Sequence, residues 1–82
     1  MNIDFNESAF EHKINKADIL CAFINSCYDG PIDEDGALEN RFIRLGYDRA
    51  GNLLEILYNE DEDDVYIFHA MKCRSIFYHL LY

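Results

Sequence analysis

The sequence predicts a small α+β domain in which an antiparallel sheet of three to four strands carries two N-terminal helices and one C-terminal helix. Two observations indicate this class: apolar residues recur at helical spacing near the start of the chain, and apolar runs separated by turn residues follow in its second half. The length of 82 residues bounds the organisation, because a second core would leave neither half enough apolar side chains to offset the entropy of ordering its backbone. Residues 1–82 are therefore expected to form a single domain.

The N-terminal quarter predicts a strand and two helices. Residues up to Phe5 favour a short edge strand, and Asn6 is a suitable N-cap for a helix of one to two turns through His12. Asn15 is the predicted N-cap of a second helix, Lys16 to Ser26, whose apolar residues recur at helical spacing. We expect this second helix to pack on the sheet.

The remaining elements are a loop, three strands and a final helix. The segment 28–40 is acidic, contains glycine and proline and lacks apolar periodicity, so it is expected to be a surface loop. Strands are predicted at Arg41–Tyr47, Leu53–Tyr58 and Val65–Ala70. A helix is predicted from Met71 to the end of the chain.

The pattern of side chains favours one pairing of the first two of these strands. When paired positions sum to 101, Ile43 lies opposite Tyr58, one face is wholly apolar, and Arg44 and Glu55 lie on the other face. A slip by one residue would bury Glu55, so the register that leaves this carboxylate on the polar face is predicted.

The third strand is apolar on both faces, and two orientations therefore stay open. In one, Tyr66 and Phe68 join the core and His69 emerges beside Glu55 on the polar face. In the other, the alternate residues are buried and His69 points inward. The first is favoured, because the larger aromatic side chains bury more area and the imidazole gains a partner.

Charge and hydropathy exclude several classes of protein. A formal net charge of −9 argues against binding nucleic acid through broad electrostatics, so any RNA contact must be local. No apolar stretch reaches the roughly 18 residues that span a bilayer, and a cytoplasmic protein without membrane contact is expected. Three cysteines without CxxC spacing are expected to be buried free thiols, and the histidines lack the spacing of a metal site.

One segment concentrates positive charge. His69, Lys72 and Arg74 fall together where a strand is predicted to become a helix. Cations at a helix start oppose its dipole, so an anion such as a phosphate, or an acidic partner, would stabilise them. The alternative is that Lys72 and Arg74 form ordinary surface ion pairs, worth about 0–1 kcal/mol each.

The order of elements and several short motifs resemble the BrnT-type toxins of bacterial toxin–antitoxin pairs, a branch of the RelE-like metal-independent ribonucleases. The matching segments are Asp4-Phe5-Asn6 and Phe10-Glu11-His12-Lys13, Ile14 to Ile19, Glu39-Asn40-Arg41-Phe42-Ile43 to Gly46, and His69-Ala70-Met71-Lys72-Cys73-Arg74 before a helix that ends in Tyr82. Together these segments touch most of the chain.

The resemblance implies an RNA endonuclease that uses no cofactor and is held inactive by a DNA-binding antitoxin. In such ribonucleases the RNA 2′-hydroxyl attacks the neighbouring phosphate, on or off the ribosome, and a homodimer or a toxin–antitoxin heterotetramer is the expected assembly. This chemistry needs a base, cations over the phosphate and an acid for the leaving oxygen. Carried onto this chain, the resemblance implies Glu55 or His69 as base, Arg44, Lys72 and Arg74 as phosphate clamp, and Tyr82 or His12 as acid.

Two features depart from the family pattern: the net charge of −9, and a segment after the third strand that is poorer in arginine. Either cleavage depends on docking to the ribosome or another carrier, or the domain keeps only a binding role. The alternative function is thus a non-catalytic protein-interaction module, which a contiguous exposed patch of Ile76, Tyr78, Leu81 and Tyr82 would favour. A small-molecule enzyme ranks third, because so short a chain offers little enclosed pocket.

Overall fold

A five-stranded mixed sheet organises the chain. The computed structural model describes residues 1–32 and 41–81. The strands are β1 (Asn2–Phe5), β2 (Ser26–Pro31), β3 (Arg41–Tyr47), β4 (Leu53–Asp61) and β5 (Asp64–Lys72). One α-helix, α1 (Lys16–Ile24), and two 3-10 segments, Glu7–Phe10 and Ser75–Leu81, complete the fold. The strand order is β1-β5-β4-β3-β2, with β1 parallel to β5 and the other neighbours antiparallel. The α+β class is confirmed, whereas the sheet is larger than predicted and mixed.

The N-terminal elements follow their caps. Asn15 accepts a hydrogen bond from the Asp18 main-chain N–H at 2.9 Å, which satisfies one of the free donors at the start of α1. The helix ends at Ile24, two residues before the predicted end, because Ser26 already begins β2. Asn6 caps the first 3-10 segment as predicted, but this segment ends at Phe10 rather than at residue 12.

The prediction of a surface loop over residues 28–40 is wrong for residues 28–31. These residues belong to β2, in which the Asp29 carboxylate lies 3.4 Å from Arg44 Nε and accepts a hydrogen bond from the Tyr58 hydroxyl. Pro31 is compatible with this strand because β2 lies at the sheet edge, where the N–H that proline lacks is not needed for pairing. The rest of the predicted loop, residues 33–40, lies outside the described residues.

The β3–β4 register differs by one residue from the prediction. Paired positions sum to 100: Ile43 lies opposite Leu57 and Leu45 opposite Glu55. Glu55 is consequently buried on one face, while Arg44, opposite Ile56, lies on the other. The physical reason is that the buried carboxylate has partners within the fold, so its burial carries no unpaired charge.

The favoured orientation of β5 is also wrong. Val65 and Ile67 are buried, and Tyr66 is 40% exposed. A bulge at Phe68 then shifts the alternation, since Leu57 pairs with His69 and Tyr58 with Ile67. His69 therefore shares a face with Glu55, as predicted, although the core residues are those of the other orientation.

The C-terminal helix begins later than predicted and has 3-10 geometry. Met71 and Lys72 extend β5, because they still pair with Glu55 and Leu54 of β4. The Ser75–Leu81 segment then packs Phe77, Leu80 and Leu81 onto the second face of the sheet.

The sheet has apolar residues on both faces. The larger cluster lies beneath α1 and the first 3-10 segment, and the smaller one, built around Ile43, Leu45 and Cys73, lies beneath the C-terminal segment. All three thiols are free, but only Cys73 is buried, and Cys27 is exposed. Among the described residues no helix is long and apolar enough to cross a bilayer.

A candidate active site at the edge of the sheet

Glu55 lies at the centre of the cluster of site residues and has no exposed surface. Its Oε1 accepts a hydrogen bond from the Arg74 main-chain N–H at 2.8 Å, and its Oε2 accepts one from Arg74 Nη2 at 2.7 Å. His69 Nε2 lies 3.0 Å from the same Oε2. Arg74 Nε donates as well, at 3.0 Å to Oε1, so four donor atoms converge on one carboxylate of β4, which is the geometry that a buried charge requires.

These donors determine the protonation of Glu55. Burial by itself raises the pKa of this carboxyl, but the Arg74 side-chain and main-chain hydrogen bonds and the His69 hydrogen bond outweigh burial, so the pKa is held below its ordinary value. Glu55 is therefore ionised at neutral pH and acts as an acceptor only. Because both oxygens are already engaged, Glu55 is poorly suited to take a proton from substrate.

His69 is held by Glu55 and stands beside a second imidazole. The His12 and His69 ring centroids lie 5.3 Å apart, with the ring planes at 76°. Ser8 in the first 3-10 segment donates a hydrogen bond to the Phe68 carbonyl at 2.6 Å, which anchors that segment along β5 where β1 has ended. The bulge at Phe68 and the Ser8 hydroxyl thus bring the two histidines together.

The carboxylate also selects a tautomer of His69. Since an ionised Glu55 cannot donate, His69 Nε2 must carry the hydrogen of that contact. In the neutral ring with its hydrogen on Nε2, the lone pair of Nδ1 is the one available to accept a proton. His12 is exposed, whereas the His69 side chain is 20% exposed, so both imidazoles can be reached from solvent.

Lys72 lies on the opposite face of the sheet from Glu55, because it pairs with Leu54, whose side chain belongs to the cluster beneath α1. There it lines a groove together with His12 and Lys13. His12 stands at the sheet edge and contributes to both arrangements, through its contact with His69 and through this groove.

Arg44 is placed away from the cluster. Its Nη1 donates to the Phe23 carbonyl at 2.9 Å, and its guanidinium carbon lies 3.9 Å from the centroid of the Phe23 ring. With Asp29 as an ion-pair partner, Arg44 has the contacts of a residue that joins α1 to the sheet. Tyr82, the other predicted acid, lies outside the described residues.

The structure therefore brings together Glu55, His69, Arg74 and His12, and adds residues that the sequence did not single out. Lys13 and Ser8 are such additions: one lines the groove and the other anchors the segment that carries His12. Lys13 ends the motif Phe10-Glu11-His12-Lys13 but has no predicted role, and Ser8 carries no sequence signal, because its acceptor is 60 residues away.

No group of three or more His, Cys, Asp or Glu side chains within residues 1–32 and 41–81 is arranged to hold a metal ion. Comparison of the chain with protein-family models, with curated proteins and with solved structures finds no match.

Proposed function

We propose that this chain is the toxin component of a bacterial toxin–antitoxin pair, a BrnT-like and RelE-like endoribonuclease. The single observation that carries the proposal is the pair of adjacent imidazoles, His12 and His69, one of which is oriented by a buried carboxylate. Two imidazoles can supply both proton transfers of RNA cleavage, as acid and as base.

In the proposed reaction His69 is the base and His12 the acid. The 2′-hydroxyl oxygen attacks the adjacent phosphorus while its proton passes to His69 Nδ1. The bond from phosphorus to the 5′-oxygen breaks, and that oxygen takes a proton from the His12 imidazolium. The products are a 2′,3′-cyclic phosphate and a 5′-hydroxyl, so the step balances without water.

The remaining residues support this pair. Glu55 orients His69 and stabilises the imidazolium that forms, as carboxylates do for catalytic histidines. Arg74 is half exposed, with 48% of its side-chain surface accessible, so its guanidinium can face the phosphate while holding Glu55. Lys72 adds positive charge on the groove side of His12.

Expression in bacteria tests the proposal. Growth and transcript integrity are followed after induction of the wild type, His12→Ala and His69→Gln, with His79→Ala as the control for loss of a histidine elsewhere. Growth arrest with RNA cleavage that is lost in the first two variants and kept in the control supports the ribonuclease. If the wild type leaves transcripts intact, the proposal fails.

A non-catalytic interaction module is the second candidate, and the C-terminal segment favours it. Ile76 is 61% exposed and Tyr78 45% exposed, beside an apolar cleft of about 540 Å³ between this segment and the edge of β2. An exposed apolar patch of this kind is typical of a docking site. The partner would be the antitoxin, whose expected basic character suits a chain of charge −9.

Co-purification with the antitoxin tests this surface. Ile76→Asp is expected to abolish co-purification, whereas Tyr66→Asp, which changes an exposed aromatic residue on β5 away from the cleft, is expected to preserve it. Equal retention of the antitoxin by both variants would remove the cleft from consideration.

A further inference from the structure

We propose that the groove beside His12 binds one nucleotide unit of an RNA chain, with Lys13 and Lys72 on its phosphate. The inference rests on the proposed ribonuclease function and deepens it, because it names the surface that holds the substrate. The groove has a volume of about 470 Å³. This volume falls within the roughly 300–1,000 Å³ that is usual for small-ligand sites.

The charges in the groove favour an anion. Lys13 and Lys72 are exposed, and within residues 1–32 and 41–81 neither lies within ion-pair distance of a carboxylate. Two carboxylates also line the groove, Asp18 and Asp48. If those carboxylates are engaged elsewhere, the lysine charges remain available to a ligand.

Both carboxylates do have partners of their own. Asp18 Oδ1 lies 2.8 Å from Arg49 Nε, and this guanidinium holds the pKa of Asp18 below its ordinary value. Asp48 accepts hydrogen bonds from the main-chain N–H groups of Ala50 and Asn52 at 2.9 and 2.8 Å. Neither carboxylate lies within ion-pair distance of the lysines, and with Arg49 beside Asp18 three cations (Lys13, Lys72 and Arg49) face two carboxylates at the groove, so a phosphate would meet a net positive charge.

The groove also offers a small apolar surface for the rest of the nucleotide. The partly exposed Ile14 contributes to its lining, whereas Leu54 is buried and the side chain of Met71, which pairs with Glu55, lies on the other face of the sheet. An aliphatic side chain such as that of Ile14 can pack against the face of a ribose or a base. A phosphate on the lysines would then lie next to His12, which lines the same groove and contacts His69.

The backbone at Lys13 is a further sign of function. Its φ of 62° lies in the left-handed region, which a residue with a Cβ adopts less readily than glycine does. Strained residues of this kind cluster at binding and catalytic sites. A lysine at this position therefore makes the fold less stable than a glycine would, while it supplies an ammonium group to the groove.

Fluorescence anisotropy with a labelled 2′-O-methyl RNA trinucleotide, which binds without being cleaved, tests the inference. Lys13→Asn keeps a residue that tolerates the left-handed region, and Lys72→Gln keeps the length of the strand side chain. Each is expected to weaken binding about 3- to 10-fold and to reduce the salt dependence by about 0.7 in log–log slope. Lys16→Gln changes the net charge equally but lies elsewhere, since its Nζ is 5.1 Å from the Phe5 ring centroid, and is expected to bind as the wild type does.

Several outcomes would overturn the inference. It fails if the wild type does not bind the trinucleotide, if the groove variants bind as the wild type does, or if all three lysine variants weaken binding equally. Binding of inorganic phosphate alone, with no gain from the attached nucleosides, also overturns it. The ribonuclease function fails separately. If the wild type binds the trinucleotide through Lys13 and Lys72 but leaves RNA intact, cleavage is excluded and the groove is still an RNA-binding site.

Discussion

Glu55 accepts hydrogen bonds from both the main chain and the side chain of Arg74, and so one buried carboxylate joins the central strand β4 to the start of the C-terminal segment. The same carboxylate orients His69. Both the stability of the fold and the candidate chemistry therefore depend on Glu55. Separate variants are needed to measure its effect on stability and its effect on cleavage.

Glu55→Gln is expected to destabilise the fold. The amide keeps the shape of the side chain but removes the charge that holds Arg74 and His69, and partial exposure of Arg74 lets its charge be hydrated. The expected loss is about 1–3 kcal/mol in the free energy of unfolding, measured by urea denaturation. Arg49→Gln, which breaks the exposed pair with Asp18, serves as the control and should change stability far less. Equal losses in the two variants would contradict the central role of Glu55.

The contribution of Glu55 should depend on pH. Burial raises the pKa of this carboxyl, but the hydrogen bonds from Arg74 and His69 lower it by more than burial raises it. The pKa in the folded state therefore lies below the unfolded value of 4.5. A group with a depressed folded pKa stabilises the protein above its unfolded pKa and loses that contribution as the pH falls through the folded pKa. The stability difference between wild type and Glu55→Gln should thus be constant near pH 7 and shrink below about pH 4.5. If the stability difference between the two proteins is the same at pH 3 and pH 7, the charge of Glu55 is not the source of its stabilising effect.

Ser8→Ala tests how His12 is positioned. The Ser8 hydroxyl donates to the Phe68 carbonyl, and its loss should cost about 1 kcal/mol and loosen the segment that carries His12. Cleavage should fall, and trinucleotide binding should weaken no more than in Lys13→Asn, because Lys13 follows His12 on the same segment whereas Lys72 is held by β5. A variant that is destabilised but cleaves RNA at the wild-type rate would show that this anchor is structural only.

Gly46→Ala probes the contact between α1 and the sheet. A methyl group at Gly46 would collide with the Ala22 main-chain carbonyl, so the helix must move away from β3. The expected loss is about 2–3 kcal/mol in the free energy of unfolding. Gly51→Ala meets no atom but forces a φ of 87° on a residue with a Cβ, and should cost only about 1 kcal/mol. A Gly46→Ala protein as stable as the wild type would mean that the helix packs differently.

The sequence predicts correctly those elements whose bounds depend on residues close together in the chain. The cap at Asn15 and the bounds of β3 follow from neighbouring residues, and both are confirmed. The C-terminal helix was predicted to begin too early, because the pairing that extends β5 through Lys72 joins residues far apart in the chain.

Nonlocal pairing explains the main errors in the sheet. The predicted register keeps Glu55 out of the core, whereas in the fold its partners His69 and Arg74 bury it from 14 and 19 residues away in the chain. Likewise, the predicted loop includes Asp29, because its partners Arg44 and Tyr58 are not adjacent to it in sequence. The burial of a charged side chain can be predicted from sequence only when the position of its oppositely charged partner is predicted as well.

The most direct test of the account is end-group analysis of RNA cleaved by the purified protein, with and without ribosomes, in the presence of EDTA. The proposed roles of His12 and His69 predict fragments that end in a 2′,3′-cyclic phosphate and begin with a 5′-hydroxyl, formed at least about 100-fold more slowly by His12→Ala and by His69→Gln. Fragments with 5′-phosphate ends, or equal rates for the wild type and both histidine variants, would contradict the account.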